Sequence, residues 1–136
     1  MAGISNLDTL LKDMEPILCK NEYVFCTTNG KLNESIISLD PIGIIQEKEG
    51  LTLILLKNVA HENGFLFDGV YRKISLNVHS DLEAVGLTAA FANALTDNNI
   101  SANVIAGYYH DHIFVPAAKA EDAMNALNGL SLLHSK

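Results

Sequence analysis

Residues 71–79 alternate between apolar and polar side chains: Ile74, Leu76 and Val78 point one way, Ser75, Asn77 and His79 the other. A period of two predicts a strand with one covered face. Ser80, with Glu83 three positions on, spells a Ser-x-x-Glu capping box. It predicts a helix from 81 to about Asp97, where Asn98-Asn99 offers a left-handed exit. At about 100° per residue this helix is apolar over most of its circumference. Leu87, Phe91 and Leu95 make one ridge, and Leu82, Val85, Ala89 and Ala92 a second. Only Glu83, Gly86, Ala90, Asn93 and Asp97 share a polar or small-residue stripe. Such a helix needs a partner beyond its own sheet, either another subdomain or a second chain. Downstream, residues 100–107 and 112–116 read as a hairpin around 108–111. Residues 118–128 read as a helix with Ala120, Ala123, Met124 and Leu127 inward and Gly129 at its end, and residues 130–134 as a short last strand.

The earlier part of the chain repeats this order in weaker form. Ser5 with Asp8 resembles a capping box for a short helix whose Leu7, Leu10, Leu11 and Met14 share a face, and Pro16 limits it. Residues 22–28 alternate aromatic and β-branched side chains and stop at Asn29-Gly30, a strand followed by a turn. Residues 31–39 are weakly patterned, either loop or degenerate helix. Asp40-Pro41 opens a second strand, 42–48, and Glu49-Gly50 turns it into a third, 51–56, which is apolar on both faces as a doubly covered central strand would be. Asn58 is placed to cap a short helix closing at Gly64. The two halves therefore read as a degenerate internal repeat. The predicted fold class is α+β: strand–helix–strand–strand–helix–strand is the ferredoxin-like βαββαβ arrangement, antiparallel sheets with helices on one face.

Composition narrows the function classes. A chain of 136 residues holds one domain or two small fused subdomains, with enough length for a real core. Charged residues make up 18%, below the usual quarter, which favours extra buried surface in a homo-oligomer. A net charge of -7 argues against a nucleic-acid partner, which needs a basic patch. No Lys or Arg lies between Lys73 and Lys119, whereas Asp81, Glu83, Asp97 and Asp111 do. An anion bound there would rely on backbone N–H groups, a helix N-terminus or protonated His; equally, a small acidic protein has placed its few cations elsewhere. Cys19 and Cys26 are the only cysteines, and with no leader-like segment they are expected to stay reduced in a cytoplasmic protein. Two lone thiols at this spacing make no zinc site. The apolar runs fall far short of the roughly 18 residues of a membrane span, so no membrane partner is expected.

Three segments carry a family resemblance: EGLTLIL (49–55), NVHSDLEAVGLTAAFANAL (77–95) and SANVIAGYYHDHIFVP (101–116). The chain resembles ACT domain proteins, and more closely a small bacterial family with two fused ACT-like halves, here 1–67 (with an extra N-terminal helix) and 68–136. The resemblance implies a ferredoxin-like fold, regulatory binding of amino acids or similar metabolites, and pairing of domains. It places the ligand at a subdomain or subunit interface, near the loop joining the first strand to the first helix, here 78–86. That loop includes Ser80, Asp81 and the small Gly86. The Asp-x-Pro-Gly form of the loop is replaced by Leu82 to Val85 after Asp81.

The candidate ligand-binding residues are Val78, His79, Ser80, Asp81, Gly86, Asn103, Tyr108 and Tyr109. The expected helix N-terminus offers free N–H groups to a carboxylate, with Asp81 or a strand carbonyl for an ammonium, a division that suits an α-amino acid. The plainer reading is an ordinary cap satisfied by Ser80 and Glu83. Tyr108 and Tyr109 suit the wall of a pocket or interface, or pack locally as loop aromatics. Asn77 and Asn103 lie on polar strand faces, where they orient a ligand or face water. His79, His110 and His112, with Asp111, form the one cluster resembling a metal or acid–base set; the alternative is an edge hairpin with hydrogen-bonded histidines. No Ser-His-Asp order, Cys–His pair or Gly-rich phosphate loop is present, and GFLFDG (64–69) lacks nucleotide spacing. The expected function is a non-enzymatic regulatory module with no cofactor, acting through an output protein the chain does not identify. The alternatives are a metal-dependent enzyme or metal sensor using His79, His110 and His112, and an interaction module without a pocket.

Overall fold

Pro16 lacks the N–H a helix or ladder would need and suits the first position of a strand, and strand β1 (Pro16–Thr28) begins there. The structure is a computed structural model that describes residues 6–134. Their chain folds as two compact units, one comprising the residues up to Lys20 together with those from Arg72 onward, the other Asn21–Tyr71. Strand β1 is longer than its aromatic stretch suggested: residues 16–21 do not alternate, and their place beside β4 extends the strand.

In the first unit, helix α1 (Leu7–Lys12) is capped by Asn6, whose side chain accepts the Thr9 N–H at 3.0 Å. The expected Ser5 cap lies outside the described residues. Strand β4 (Tyr71–Leu76, in this unit from Arg72 on), strands β5 (Asn103–Ala106) and β6 (Asp111–Pro116), and the first residues of β1 lie in the order β1-β4-β6-β5. The antiparallel β5–β6 hairpin pairs Asn103 with Phe114 and Ala106 with Asp111. Helices α4 (Leu87–Asp97) and α5 (Ala120–Leu133) cover the sheet, with a single 3-10 turn, Ala117–Lys119, leading into α5. Ile74, Leu76 and Val78 meet Phe91 and Leu95 of α4, Ala123 and Leu127 of α5, and Leu10, Leu11 and Met14 in one core. Fully burying each such Leu or Phe contributes about 1.5–3 kcal/mol.

Two expectations fail here, for local reasons. Ser80 does not cap a helix: α4 starts at Leu87, and residues 81–86 are loop and turn. Asp81 captures the Glu83 N–H at 2.9 Å, and that side-chain turn competes with helix initiation. Leu82 and Val85 therefore leave the supposed second ridge and stand 63% and 84% exposed, while α4 buries Leu87, Phe91 and Leu95 along one stripe. Residues 130–134 do not form a last strand either, because α5 runs through Gly129 to Leu133. The edge beside β4 is taken by the start of β1, where the Asn77 N–H donates to the Glu15 carbonyl at 3.1 Å and Arg72 Nε to the Cys19 carbonyl at 2.9 Å.

In the second unit, strands β2 (Gly43–Glu47) and β3 (Gly50–Leu56) and the remainder of β1 form an antiparallel sheet in the order β2-β3-β1. Gly50, at φ 151°, lets the turn pass so close to Thr28 that a Cβ would sit 2.6 Å from its carbonyl oxygen. The weakly patterned 31–39 stretch contains the single-turn helix α2 (Glu34–Ile37), capped by Asn33. Helix α3 (Lys57–Glu62) follows β3 directly; its N-cap is Leu56, without a side-chain bond, so Asn58 lies inside the first turn and not at the cap. Leu51, Leu53 and Leu55 join Val24, Cys26, Ile36 and Ala60 in a separate core, and Ile54 on the opposite side of β3 is also buried. Burial pushes the Cys26 thiol above its ordinary pKa, which keeps it protonated and inert. The fold is α+β, and both runs of the chain have the strand–helix–strand–strand–helix order of ferredoxin-like halves.

Candidate ligand site

The end of β4 and the tip of the β5–β6 hairpin come together in the first unit. Val78 keeps its side chain in the core at 7% exposure and presents its carbonyl to His110 Nδ1 at 3.3 Å. Ser80 donates its hydroxyl to Asp111 Oδ2 at 3.3 Å, and both residues are buried. These two links tie the loop after β4 to the hairpin tip. On the outside of that tie, the His79 ring lies 5.4 Å from Tyr109 and 6.4 Å from Tyr108, and the two tyrosines meet edge-to-face at 4.9 Å.

From Ser80 the loop turns through Asp81 to Gly86, which takes a left-handed φ of 100° as the N-cap of α4. A Cβ at Gly86 would lie 3.0 Å from Leu7 Cδ2, so glycine serves both the conformation and the approach of α1. No side chain caps α4, and its first-turn N–H groups carry the positive end of the helix dipole.

Seven of the expected ligand residues, Val78, His79, Ser80, Asp81, Gly86, Tyr108 and Tyr109, therefore fall on this loop and hairpin tip. Asn103 does not join them: it starts β5, at the far end of the hairpin from Tyr108, and its amide donates to the Phe114 carbonyl at 3.3 Å. The three histidines have separate engagements. His79 leans at a tilt against the tyrosines, His110 meets the Val78 carbonyl, and His112 Nδ1 shares a 2.7 Å hydrogen bond with the Ser75 hydroxyl. Among the described residues no three His, Cys, Asp or Glu side chains are grouped to hold a metal. The His112 pKa lies below its ordinary value, first through burial and then through the nearby Lys73 and His110 charges, with Asp111 pulling the other way.

The Ser75–His112 pair was missed in the sequence, although the alternation of β4 put Ser75 on the face opposite the core. So were two surface hollows away from the loop. A trough of about 560 Å³ runs between α4 and α5 over Ala90, Ala94, Ala126 and Gly129, walled by Leu130 and Leu133. A smaller hollow of about 360 Å³ lies beside Thr96, Ser101 and Lys119, where Lys119 Nζ donates to the Asn99 carbonyl.

Two family models match the chain in tandem, both for the ACT domain, over residues 2–72 and 67–129. Among solved structures, a Vibrio cholerae protein of unknown function, described as a possible transport protein, is 51% identical, with a TM-score of 0.84 over 92% of this chain and 95% of that one. An Agrobacterium tumefaciens protein superposes with a TM-score of 0.70 at 15% identity, covering 85% of this chain and 87% of its own. The ligand-free regulatory subunit of aspartate kinase from Thermus thermophilus gives 0.64 at 14% identity, covering 88% and 98%. The last two show a shared fold. No curated protein sequence matches the chain. Among the described residues no helix is long and apolar enough to cross a membrane.

Proposed function

Because the chain belongs to the ACT domain family, we propose that it is a non-enzymatic regulatory module that binds an amino acid or a similar small metabolite and passes the result to a separate output protein. The halves 1–67 and 68–136 are its two ACT-like repeats, and the site is the loop 78–86 with the hairpin tip at Tyr108 and Tyr109. The observation that carries the reading is the convergence of that loop and tip, held by Ser80–Asp111 and His110–Val78, on a loop that leads into the side-chain-free cap of α4. A carboxylate is stabilised near α4's first-turn N–H groups, and an ammonium by Asp81. The module is cytoplasmic and homo-oligomeric, with the ligand bound at a subdomain or subunit interface. A ligand that prefers one arrangement of the assembly shifts its population by that difference in affinity.

Thermal-shift measurements across the protein amino acids test this. A true ligand at 100 times its Kd adds about 2.7 kcal/mol and raises Tm by several degrees. A flat response to every amino acid would count decisively against amino-acid sensing.

A further inference from the structure

His79 leaves the end of the β4 run, and Tyr108 and Tyr109 form the tip of the hairpin, so two separate chain segments contribute to one aromatic cluster. The centroid separations are 4.9, 5.4 and 6.4 Å, with the ring planes inclined at 72°, 51° and 37°. Tyr108 and Tyr109 nevertheless remain 59% and 62% exposed, so the rings lean on one another while their outer surfaces stay open. A point about 4 Å above the plane of the three centroids lies about 5 Å from each, inside the roughly 6 Å over which a ring draws a cation to its face.

Charge around the cluster selects the same kind of guest. Asp81 and Asp111 stand two positions from His79 and Tyr109, respectively, and the nearest cation along the chain is Lys73. Asp111 is 8% exposed and tied to Ser80, so its carboxylate is fixed beneath the hairpin tip. A primary ammonium placed against aromatic faces gives up hydrogen bonds to water, whereas a quaternary, fully alkylated ammonium has none to lose. The geometry points to a site for a small free methylated ammonium compound, of the choline or betaine type, on the outer face shared by His79, Tyr108 and Tyr109. The site deepens the regulatory reading, on which its physiological use rests, by naming a ligand class at the same loop and tip.

Tetramethylammonium chloride, titrated into the full chain against potassium chloride at equal ionic strength, tests the site directly. The chain has four Tyr and no Trp, so intrinsic fluorescence reports tyrosine. A saturable fluorescence change is expected, with an upfield shift of the probe's methyl proton resonance from the ring currents. Tyr109→Leu should weaken binding about fivefold, as loss of one ring worth about 1 kcal/mol requires, while Tyr109→Phe keeps it. Choline should bind more tightly than phosphocholine, whose phosphate meets the acidic surroundings. A response no different from potassium chloride, an unshifted methyl resonance, undiminished binding by a folded Tyr109→Leu variant, or equal affinity for choline and phosphocholine would each overturn the site. Binding of tetramethylammonium with no amino-acid response would sink amino-acid sensing alone; the reverse pattern would sink the aromatic site alone.

Discussion

His112 shows how a single side chain records its surroundings. Its ring is bonded to the Ser75 hydroxyl at 2.7 Å, and burial, helped by Lys73 and His110, holds its pKa below the ordinary value. In the unfolded chain a histidine takes up its proton near pH 6.5, and in the folded chain His112 does so only at lower pH. The unfolded state therefore binds more protons in that interval, so this contribution to stability is whole above about pH 6.5 and fades as the pH falls toward the folded pKa. Replacing His112 by Asn, which keeps a polar partner for Ser75, should make the loss of stability between about pH 7 and pH 5 smaller than in the parent. Urea denaturation at the two pH values measures it, and parallel losses would refute the assignment. The Ser75 partnership was not legible in the sequence, because alternation tells which face a residue occupies but not which neighbour on the next strand it meets.

Helix α5 was foreseen to end at Gly129 and instead continues to Leu133. Gly129 is exposed, and a Cβ built there meets nothing within 4 Å. Gly129→Ala should therefore stabilise the protein by about 0.5–1 kcal/mol, by favouring the helix and restricting the unfolded chain. A raised urea midpoint with an unchanged slope is the expected result, and a lowered midpoint would refute it. Element types were otherwise readable where periodicity was strong, as in β3, β4 and the β5–β6 hairpin. The start of α4 was not, because Ser-x-x-Glu is a local signal and the Asp81 turn with left-handed Gly86 outcompetes it. That shift moved the helix N-terminus from Ser80 to Gly86 yet left most of the candidate ligand residues on one loop and one hairpin tip.

At the scale of the whole molecule, the compact units do not follow the two halves of the chain. Leu10, Leu11 and Met14 sit in the core of β4, α4 and α5, although their sequence position placed them with the first half. Leu10→Ala, at a position with 0% exposure, should cost about 2–5 kcal/mol. Hydrogen exchange is expected to accelerate in β4, β6, α4 and α5 more than in β2 and α3; uniform acceleration would refute a division of stability along these lines. The repeat of strand and helix order was visible in the pattern of side chains, but long-range closure was not, since no local signal announces that residues 16–20 will lie beside β4. The interruption also dictates an order of assembly. On the ribosome, residues 21–71 are a contiguous stretch, so the partners they have within their own unit emerge together with them. The leading helix and the opening of β1 emerge earlier still, yet must wait, with apolar side chains uncovered, for the final helix to be synthesised. A chaperone that shields nascent apolar segments would have a long engagement there, at a segment made well before its partners.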